Sequence, residues 1–131
     1  MIIPPYVLGA LPATVVNNGE WVHVAAVNDN PNGKHYFYVN GKLVSTLERN
    51  NKPLPISQRI SKIGGNNISG NSNYFKGEIH SIALYNDVRT EREIKRDATS
   101  PSPNGLVAAW NLSGEPTTVK DISGHGYDAT R

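Results

Sequence analysis

The chain has 131 residues, of which 37% are hydrophobic and 18% charged, with 12 Gly, 9 Pro and no Cys. This length suits one domain, and so many Gly and Pro residues exclude long helical bundles and coiled coils, while the lack of Cys excludes disulfides and thiolate metal sites. The net charge of +2 arises from scattered residues, and no apolar run has the length of a membrane span, so we expect neither a nucleic-acid partner nor membrane insertion.

The first half of the chain predicts short strands separated by turns. Residues 6–16 predict one or two strands, and residues 21–27 predict a strand covered on both faces. The clearest signal is a hairpin of residues 35–39 and 42–47 around Asn40-Gly41, because both central residues of a type I′ turn need positive φ.

The middle of the chain predicts two more strands and one helix. Residues 59–63 predict a short strand, and the polar residues 64–73 predict an exposed loop. Residues 75–85 form the longest strand candidate, in which a change of apolar parity suggests a bulge or a passage between sheets. Thr90 and Glu93 fit a capping box, which predicts a helix to about Ala98.

The last third begins with a stiff polar linker at residues 99–105. Residues 106–112 predict a strand, and residues 121–128 predict a turn-rich close. The linker is therefore a candidate boundary between residues 1–98 and 106–131.

Three stretches carry a recognisable pattern when taken together. They are Trp21-Val22-His23-Val24-Ala25 with Tyr38-Val39-Asn40-Gly41-Lys42, Phe75-Lys76-Gly77-Glu78-Ile79 running through Ala83-Leu84-Tyr85-Asn86 to Glu93-Ile94, and Leu106-Val107-Ala108-Ala109-Trp110 with Asp121-Ile122-Ser123-Gly124. The combination resembles the laminin G-like group of concanavalin A-like jelly rolls. This resemblance implies an all-β fold, an antiparallel β-sandwich with one short helix, and a core containing Trp21 and Trp110.

The order of these pieces departs from the family pattern. Residues 1–98 resemble the back half of such a sandwich, and residues 106–131 resemble its opening strand and turn. The chain either spans a junction of tandem domains or is a permuted or strand-exchanged sandwich. We expect a single sandwich in which the tail packs on residues 21–98, with an edge that needs a partner or a cover.

The sequence offers little for catalysis, and we expect no enzyme. Glu78 has no second acid close after it, whereas retaining glycoside hydrolysis needs two carboxylates about 5 Å apart. Glu78 and His80 fit a solvated or cross-strand pair better. Ser123, His125 and Asp128 contain the residue types of a hydrolytic triad, but such close spacing in a Gly-rich turn does not build its geometry.

The resemblance also implies a calcium ion at the rim of the sandwich. Its candidate ligands are Asp121, Ser123 and Asp128, whose oxygen atoms suit Ca²⁺. The alternative is a plain turn in which Asp121 accepts hydrogen bonds from backbone amides. The four His residues lack the spacing of a zinc site.

Aromatic and amide side chains are the candidates for ligand binding. A sugar needs an apolar platform for its C–H groups and polar partners for its hydroxyls. The candidates are Tyr36, Tyr38, Asn66, Asn67, Asn71, Asn73 and Tyr74. The alternative is a mobile polar loop beside a core Tyr.

Two tripeptides fit the N-glycosylation acceptor pattern. They begin at Asn67 and Asn111, and they matter only if the source exports the protein through a glycosylating pathway. Asn111 stands at a strand end, where a glycan is harder to place.

We therefore expect a non-catalytic binding module. The resemblance implies a glycan or an extracellular protein as partner and a place in a larger secreted or surface protein, although from residues 1–5 we expect no signal peptide in this chain. The alternative is an assembly module that forms a homo-oligomer through an exposed sheet edge, and a glycoside hydrolase fragment is a third possibility.

Overall fold

Seven short strands and one helix make up the secondary structure of the described residues. The structure is a computed structural model that describes residues 19–48, 62–65, 74–114 and 117–131. The elements are β1 Val24–Asp29, β2 Lys34–Val39, β3 Lys42–Glu48, β4 Ser81–Tyr85, α1 Glu91–Asp97, β5 Leu106–Asn111, β6 Thr118–Val119 and β7 Ala129–Thr130. All paired strands are antiparallel, so the predicted all-β class with one short helix is confirmed.

Part of the sequence predictions lies outside the described residues. This applies to the strands at residues 6–16 and to most of the loop at residues 64–73. Of the predicted strand at residues 59–63, only Lys62 and Ile63 are described, and these two are not part of a strand.

Strands β1, β2 and β3 form an antiparallel sheet in that order, and the predicted hairpin joins β2 to β3. Asn40 and Gly41 have φ angles of 49° and 74°, the left-handed values that a type I′ turn requires. The hairpin tip is fastened to the segment before β1, since the Asn40 amide donates to the His23 carbonyl at 2.8 Å and the His23 amide donates to Asn40 Oδ1 at 3.0 Å. The predicted hairpin is confirmed.

Strand β1 differs from its prediction because one of its faces is open. Val27 is buried, but Ala26 and Asn28 are exposed, so alternate side chains face solvent. The strand also begins at Val24 rather than at Trp21. The expected cover on both faces is therefore wrong.

The helix α1 covers the other face of this sheet. Thr90 Oγ1 accepts a hydrogen bond from the Glu93 amide at 3.3 Å, and Glu93 Oε2 accepts one from the Thr90 amide at 2.9 Å. This is the predicted capping box. Ile94 is the buried residue of the helix, and it packs with Val27 and Tyr38.

The tail of the chain pairs with the segment before the helix. Strand β5 lies antiparallel to β4, with Ser81 opposite Asn111 and Ala83 opposite Ala109. Ile82, Ala108, Trp110 and Val119 are buried together in a second cluster beside this pair. The expectation that the tail packs on the earlier part of the chain is thus confirmed.

The long strand predicted at residues 75–85 is shorter in the structure. The chain bends at Gly77, where a Cβ would lie 2.8 Å from the Phe75 ring, and β4 begins only at Ser81. The side chains of Ile79 and Ile82 both pack in the cluster around Trp110. In a continuous strand, residues three apart would point to opposite faces. The register is irregular at Leu84 and Tyr85.

Strands β6 and β7 close the structure as a two-stranded ribbon, and Asp121 bridges to Trp110. In the described ranges, no helix has the length and apolar character needed to cross a bilayer.

Candidate binding surface

Tyr74 is the most exposed of the predicted ligand-binding aromatics, with 66% of its surface accessible. Its ring lies against Gly65, where a Cβ would approach Tyr74 Cδ1 to 3.2 Å. The next residue fixes the backbone, because the Phe75 amide donates to the Gly64 carbonyl at 2.8 Å. A side chain at position 65 would push the ring aside, so the glycine allows a held but open aromatic surface.

The four Asn residues predicted beside Tyr74 lie outside the described residues. They occupy positions in the sequence between the two segments that Gly64 and Phe75 tie together, and they are Asn66, Asn67, Asn71 and Asn73. Their role in binding stays a prediction.

Tyr36 and Tyr38 lie on the helix-covered face of the first sheet, not on an open face. Tyr38 is 7% exposed and packs with Val27 and Ile94, while Tyr36 is partly buried against the same cluster. Burial raises the pKa of the Tyr38 hydroxyl. Tyr38 therefore does not offer the open platform for a sugar that the sequence predicted for it, because residues two apart on a strand share a face and α1 covers that face.

The two Trp residues differ in their environment. Trp110 is 8% exposed, and its Nε1 donates to the Tyr127 carbonyl at 2.8 Å, which confirms its place in the core. Trp21 is 66% exposed, so its expected burial is wrong. Because it precedes β1, Trp21 has no place in the sheet, and it meets the His80 ring edge-on at 6.0 Å between centroids.

The turn that follows β6 is organised around one carboxylate. Asp121 Oδ1 accepts hydrogen bonds from the amides of Ala109 and Ser123, each at 2.9 Å. Asp121 Oδ2 accepts from the Ser123 hydroxyl at 2.8 Å and from the Tyr127 amide at 3.1 Å. Desolvation raises the pKa of the Asp121 carboxyl, but these four donors outweigh it and hold the pKa well below its ordinary value.

The second acid of the turn is held by a lysine. Asp128 Oδ2 accepts from Lys120 Nζ, and Asp128 Oδ1 accepts from the Asp121 amide at 3.0 Å. The Lys120 ammonium, followed by this amide, lowers the pKa of the Asp128 carboxyl.

These contacts do not fit a calcium ion as the side chains stand. Both oxygens of Asp121 are occupied by two donors each, and an ammonium group occupies Asp128. In the part of the chain that is described, no three acidic or histidine side chains are grouped for a metal. The arrangement matches the alternative of a plain turn built on Asp121, and calcium stays a prediction for a binding experiment.

Ser123 and His125 come close together without forming a triad. Ser123 Oγ lies 3.0 Å from His125 Nδ1 and donates to Asp121 Oδ2, while His125 Nδ1 also lies 2.9 Å from the Val107 carbonyl. A catalytic triad needs the imidazole between the acid and the hydroxyl. Here the hydroxyl lies between the acid and the imidazole, and Asp128 binds Lys120 instead.

Glu78 and His80 do not share a strand face. Both residues are exposed, and both precede the start of β4 at Ser81. The alternation that would place them side by side therefore does not apply.

A buried arginine that the sequence predictions missed ties the helix to the sheet. Arg89 is 6% exposed, and its guanidinium lies 3.2 Å from Asp87 Oδ2, 3.6 Å from Glu93 Oε1 and 3.5 Å from Asp97 Oδ2. The Asp97 side chain is itself 7% exposed. The positions of these three acids around Arg89 can be read from the sequence, and they are the signal that could have predicted its ion pairs.

The same guanidinium also reaches β4 and the linker. Its carbon lies 3.7 Å from the centre of the Tyr85 ring, and its nitrogens donate to Ser102 Oγ at 3.3 Å and to the Asn104 carbonyl. Arg89 thus connects β4, α1 and the linker to β5. Its two terminal nitrogens donate to the chain itself, and its Nε lies in an ion pair with Asp97, so the contacts of the cluster are internal to the fold.

The comparisons with known proteins agree with this architecture. A family model of the laminin G type, described as the concanavalin A-like lectin/glucanases superfamily, matches residues 8–95, about two thirds of the chain. No curated protein and no solved structure matches the chain. The matched region contains the first two of the three recognised stretches and ends before the tail at residues 106–131. The chain belongs to the laminin G-like family of the concanavalin A-like lectin/glucanase superfamily.

Proposed function

We propose that the chain is a non-catalytic carbohydrate-binding module of a secreted or cell-surface protein, with Tyr74 as the platform for the sugar. Membership of the superfamily supports a binding module. The observation that carries the proposal is the Tyr74 ring, 66% exposed yet held against Gly65.

A held aromatic ring suits a sugar for two physical reasons. Its apolar face can cover the C–H groups of a pyranose, which are otherwise poorly paired in water. A ring already fixed against backbone loses less conformational freedom on binding than a free one. The Asn residues at positions 66, 67, 71 and 73 carry amides of the kind that bind sugar hydroxyls.

The proposal includes no catalytic step and does not depend on calcium. The Ser123 and His125 contacts lack the order of a triad, and Asp121 and Asp128 are engaged within their own turn. An extracellular protein is the other ligand class consistent with the family.

The alternative of an assembly module rests on strand β3. Leu43, Val44 and Leu47 of this strand are 46%, 49% and 37% exposed, and among the described residues β3 pairs only with β2. However, the register is irregular beside Leu43, and the charged Lys42 and Glu48 are the first and last residues of the strand. Bulges and charges discourage edge pairing, so carbohydrate binding is the better-supported function.

The test is a glycan array followed by titration calorimetry on the best ligand, with calcium or with EDTA. Tyr74→Ala is expected to weaken binding at least about tenfold, the loss of roughly 1.4 kcal/mol for an aromatic anchor. Tyr127→Ala is the matched control, because Tyr127 is 58% exposed and its structural hydrogen bonds come from its backbone.

Three results would count against the proposal. They are no binding to any glycan in either buffer, equal binding by the Tyr74 variant, and equal losses in both variants. A concentration-dependent dimer in sedimentation, lost on substitution of Leu43 and Leu47 by Ser, would favour the assembly function instead.

A further inference from the structure

The acceptor tripeptide Asn111-Leu112-Ser113 has a defined local geometry at the end of β5. Asn111 Oδ1 accepts hydrogen bonds from the Ser113 hydroxyl at 2.6 Å and from the Ser113 amide at 3.0 Å. This is an Asx turn, in which the side chain closes on the backbone two residues later. The Asn111 carbonyl oxygen is thus engaged, whereas its Nδ2 donates to no described residue.

The middle residue of the tripeptide fixes the direction of the other two. The Leu112 amide donates to the His80 carbonyl at 2.7 Å, and the Leu112 carbonyl accepts from Arg131 at 2.6 Å. The Leu112 side chain packs against the cluster around Trp110. Alternation along the extended chain then sends Asn111 and Ser113 outward, and both are exposed.

The surroundings of Asn111 leave room for a large substituent. Its cross-strand neighbour is Ser81, which is small and exposed. A branched sugar on Nδ2 would extend into solvent without displacing a core side chain. The structure therefore does not bear out the expectation that a strand end makes a glycan hard to place here.

We propose that Asn111 is the acceptor of an N-linked glycan. In the transfer, Asn111 Nδ2 attacks the anomeric carbon of a lipid diphosphate-linked oligosaccharide. The new C–N bond forms as the C–O bond to the diphosphate breaks, the lipid diphosphate leaves, and Nδ2 loses one proton with no change of oxidation state. A membrane-bound oligosaccharyltransferase catalyses the transfer from this lipid-linked donor and takes up the proton, and the Ser113 hydroxyl, by donating to Oδ1, makes the Nδ2 protons more acidic.

This modification rests on the secretory route proposed above but not on sugar binding at Tyr74. The experiment therefore directs the protein into the secretory pathway. The full chain is produced behind a cleavable secretion leader in a eukaryotic host, with an added C-terminal Asn-Ala-Thr acceptor as an internal reporter. Only reporter-glycosylated molecules are scored, and peptide N-glycosidase in heavy-oxygen water marks each occupied Asn for mass spectrometry.

We expect most scored molecules to carry a glycan at Asn111. Asn111→Gln and Ser113→Ala should abolish it, and Ser113→Thr should retain it, while Asn67→Gln should leave occupancy at Asn111 unchanged. An unmodified Asn111 in molecules whose reporter is occupied overturns the proposal. Failure of glycan binding in the Tyr74 experiment leaves this result unaffected, so the two proposals fail separately.

Discussion

At the scale of single residues, Asp121 shows how one carboxylate can organise a turn. Its two oxygens accept four hydrogen bonds, from residues on β5 and on both sides of the turn. Ser123 contributes two of these donors, and its hydroxyl also lies 3.2 Å from the Val107 carbonyl. Two of the three residues chosen from the sequence as metal ligands, Asp121 and Ser123, thus hold β5 to the turn.

The charge of Asp121 should make folding sensitive to acid. Hydrogen bonds hold its folded pKa below the unfolded value of about 3.9, so its stabilisation is present above that pH and is lost as pH falls below it. Asp121→Asn should therefore lower the denaturation midpoint at neutral pH, and the difference from wild type should shrink toward about pH 2. Urea titrations at several pH values measure this.

Glu78→Gln is the matched control, because it removes an exposed carboxylate outside the turn. It should leave the midpoint and its pH dependence nearly unchanged. A constant difference between Asp121→Asn and wild type across the pH range would contradict the assigned role of the charge.

At the scale of elements, the connection between α1 and its surroundings depends on Arg89. Ile94 supplies the apolar contact of the helix with the first sheet. Arg89 supplies the polar contacts with β4 and with the linker that leads to β5. The helix thus contacts the first sheet through Ile94, and Arg89, which precedes the helix, joins it to the sheet of β4 and β5.

Removing the guanidinium should destabilise this junction strongly. Arg89→Met keeps an apolar chain but leaves the buried Asp97 with Arg96 as its remaining ion-pair partner, which should cost about 3 kcal/mol of unfolding free energy. Arg92→Met, a substitution at an exposed position of α1, should change stability little. Equal unfolding free energies for the two variants in denaturant titrations would show that Arg89 is not the connecting residue.

At the scale of the whole molecule, the pairing of β4 with β5 determines which parts of the chain form one body. The family match ends at residue 95, yet the tail at residues 106–131 supplies β5 and most of the cluster around Trp110. The tail resembles the opening strand of the family pattern, whereas residues 1–98 resemble its back half. Strand β5 of the tail therefore completes a sheet with β4 of the earlier part of the chain.

A cross-strand disulfide tests this pairing directly. Ser81 and Asn111 lie opposite each other and are exposed. Because the neighbouring pair of His80 and Leu112 is hydrogen-bonded, Ser81 and Asn111 form a non-hydrogen-bonded pair. The Cα atoms of such a pair are about 4.5 Å apart, a separation that a disulfide can bridge. The double variant Ser81→Cys with Asn111→Cys should form an intramolecular bond and gain about 3 kcal/mol. The chain has no other Cys, so non-reducing gels give a clear result.

A covalent dimer that forms at low protein concentration would show that the tail is exchanged between copies. Two free thiols after mild oxidation would show that the tail is unpaired. Each single variant controls for non-specific oxidation.

The sequence by itself determined the features that depend on local interactions. Asn40-Gly41 specifies its turn through backbone φ, and Thr90 with Glu93 specifies the start of the helix through neighbouring amides. The three recognised stretches carry the family resemblance, and the family model matches the region that holds the first two of them. Only the tertiary structure decided that Tyr38 is covered and Trp21 open, that Arg89 joins three segments, and that the tail pairs with β4. These outcomes depend on contacts between residues distant in the chain, and neither periodicity nor spacing specifies which distant surfaces meet.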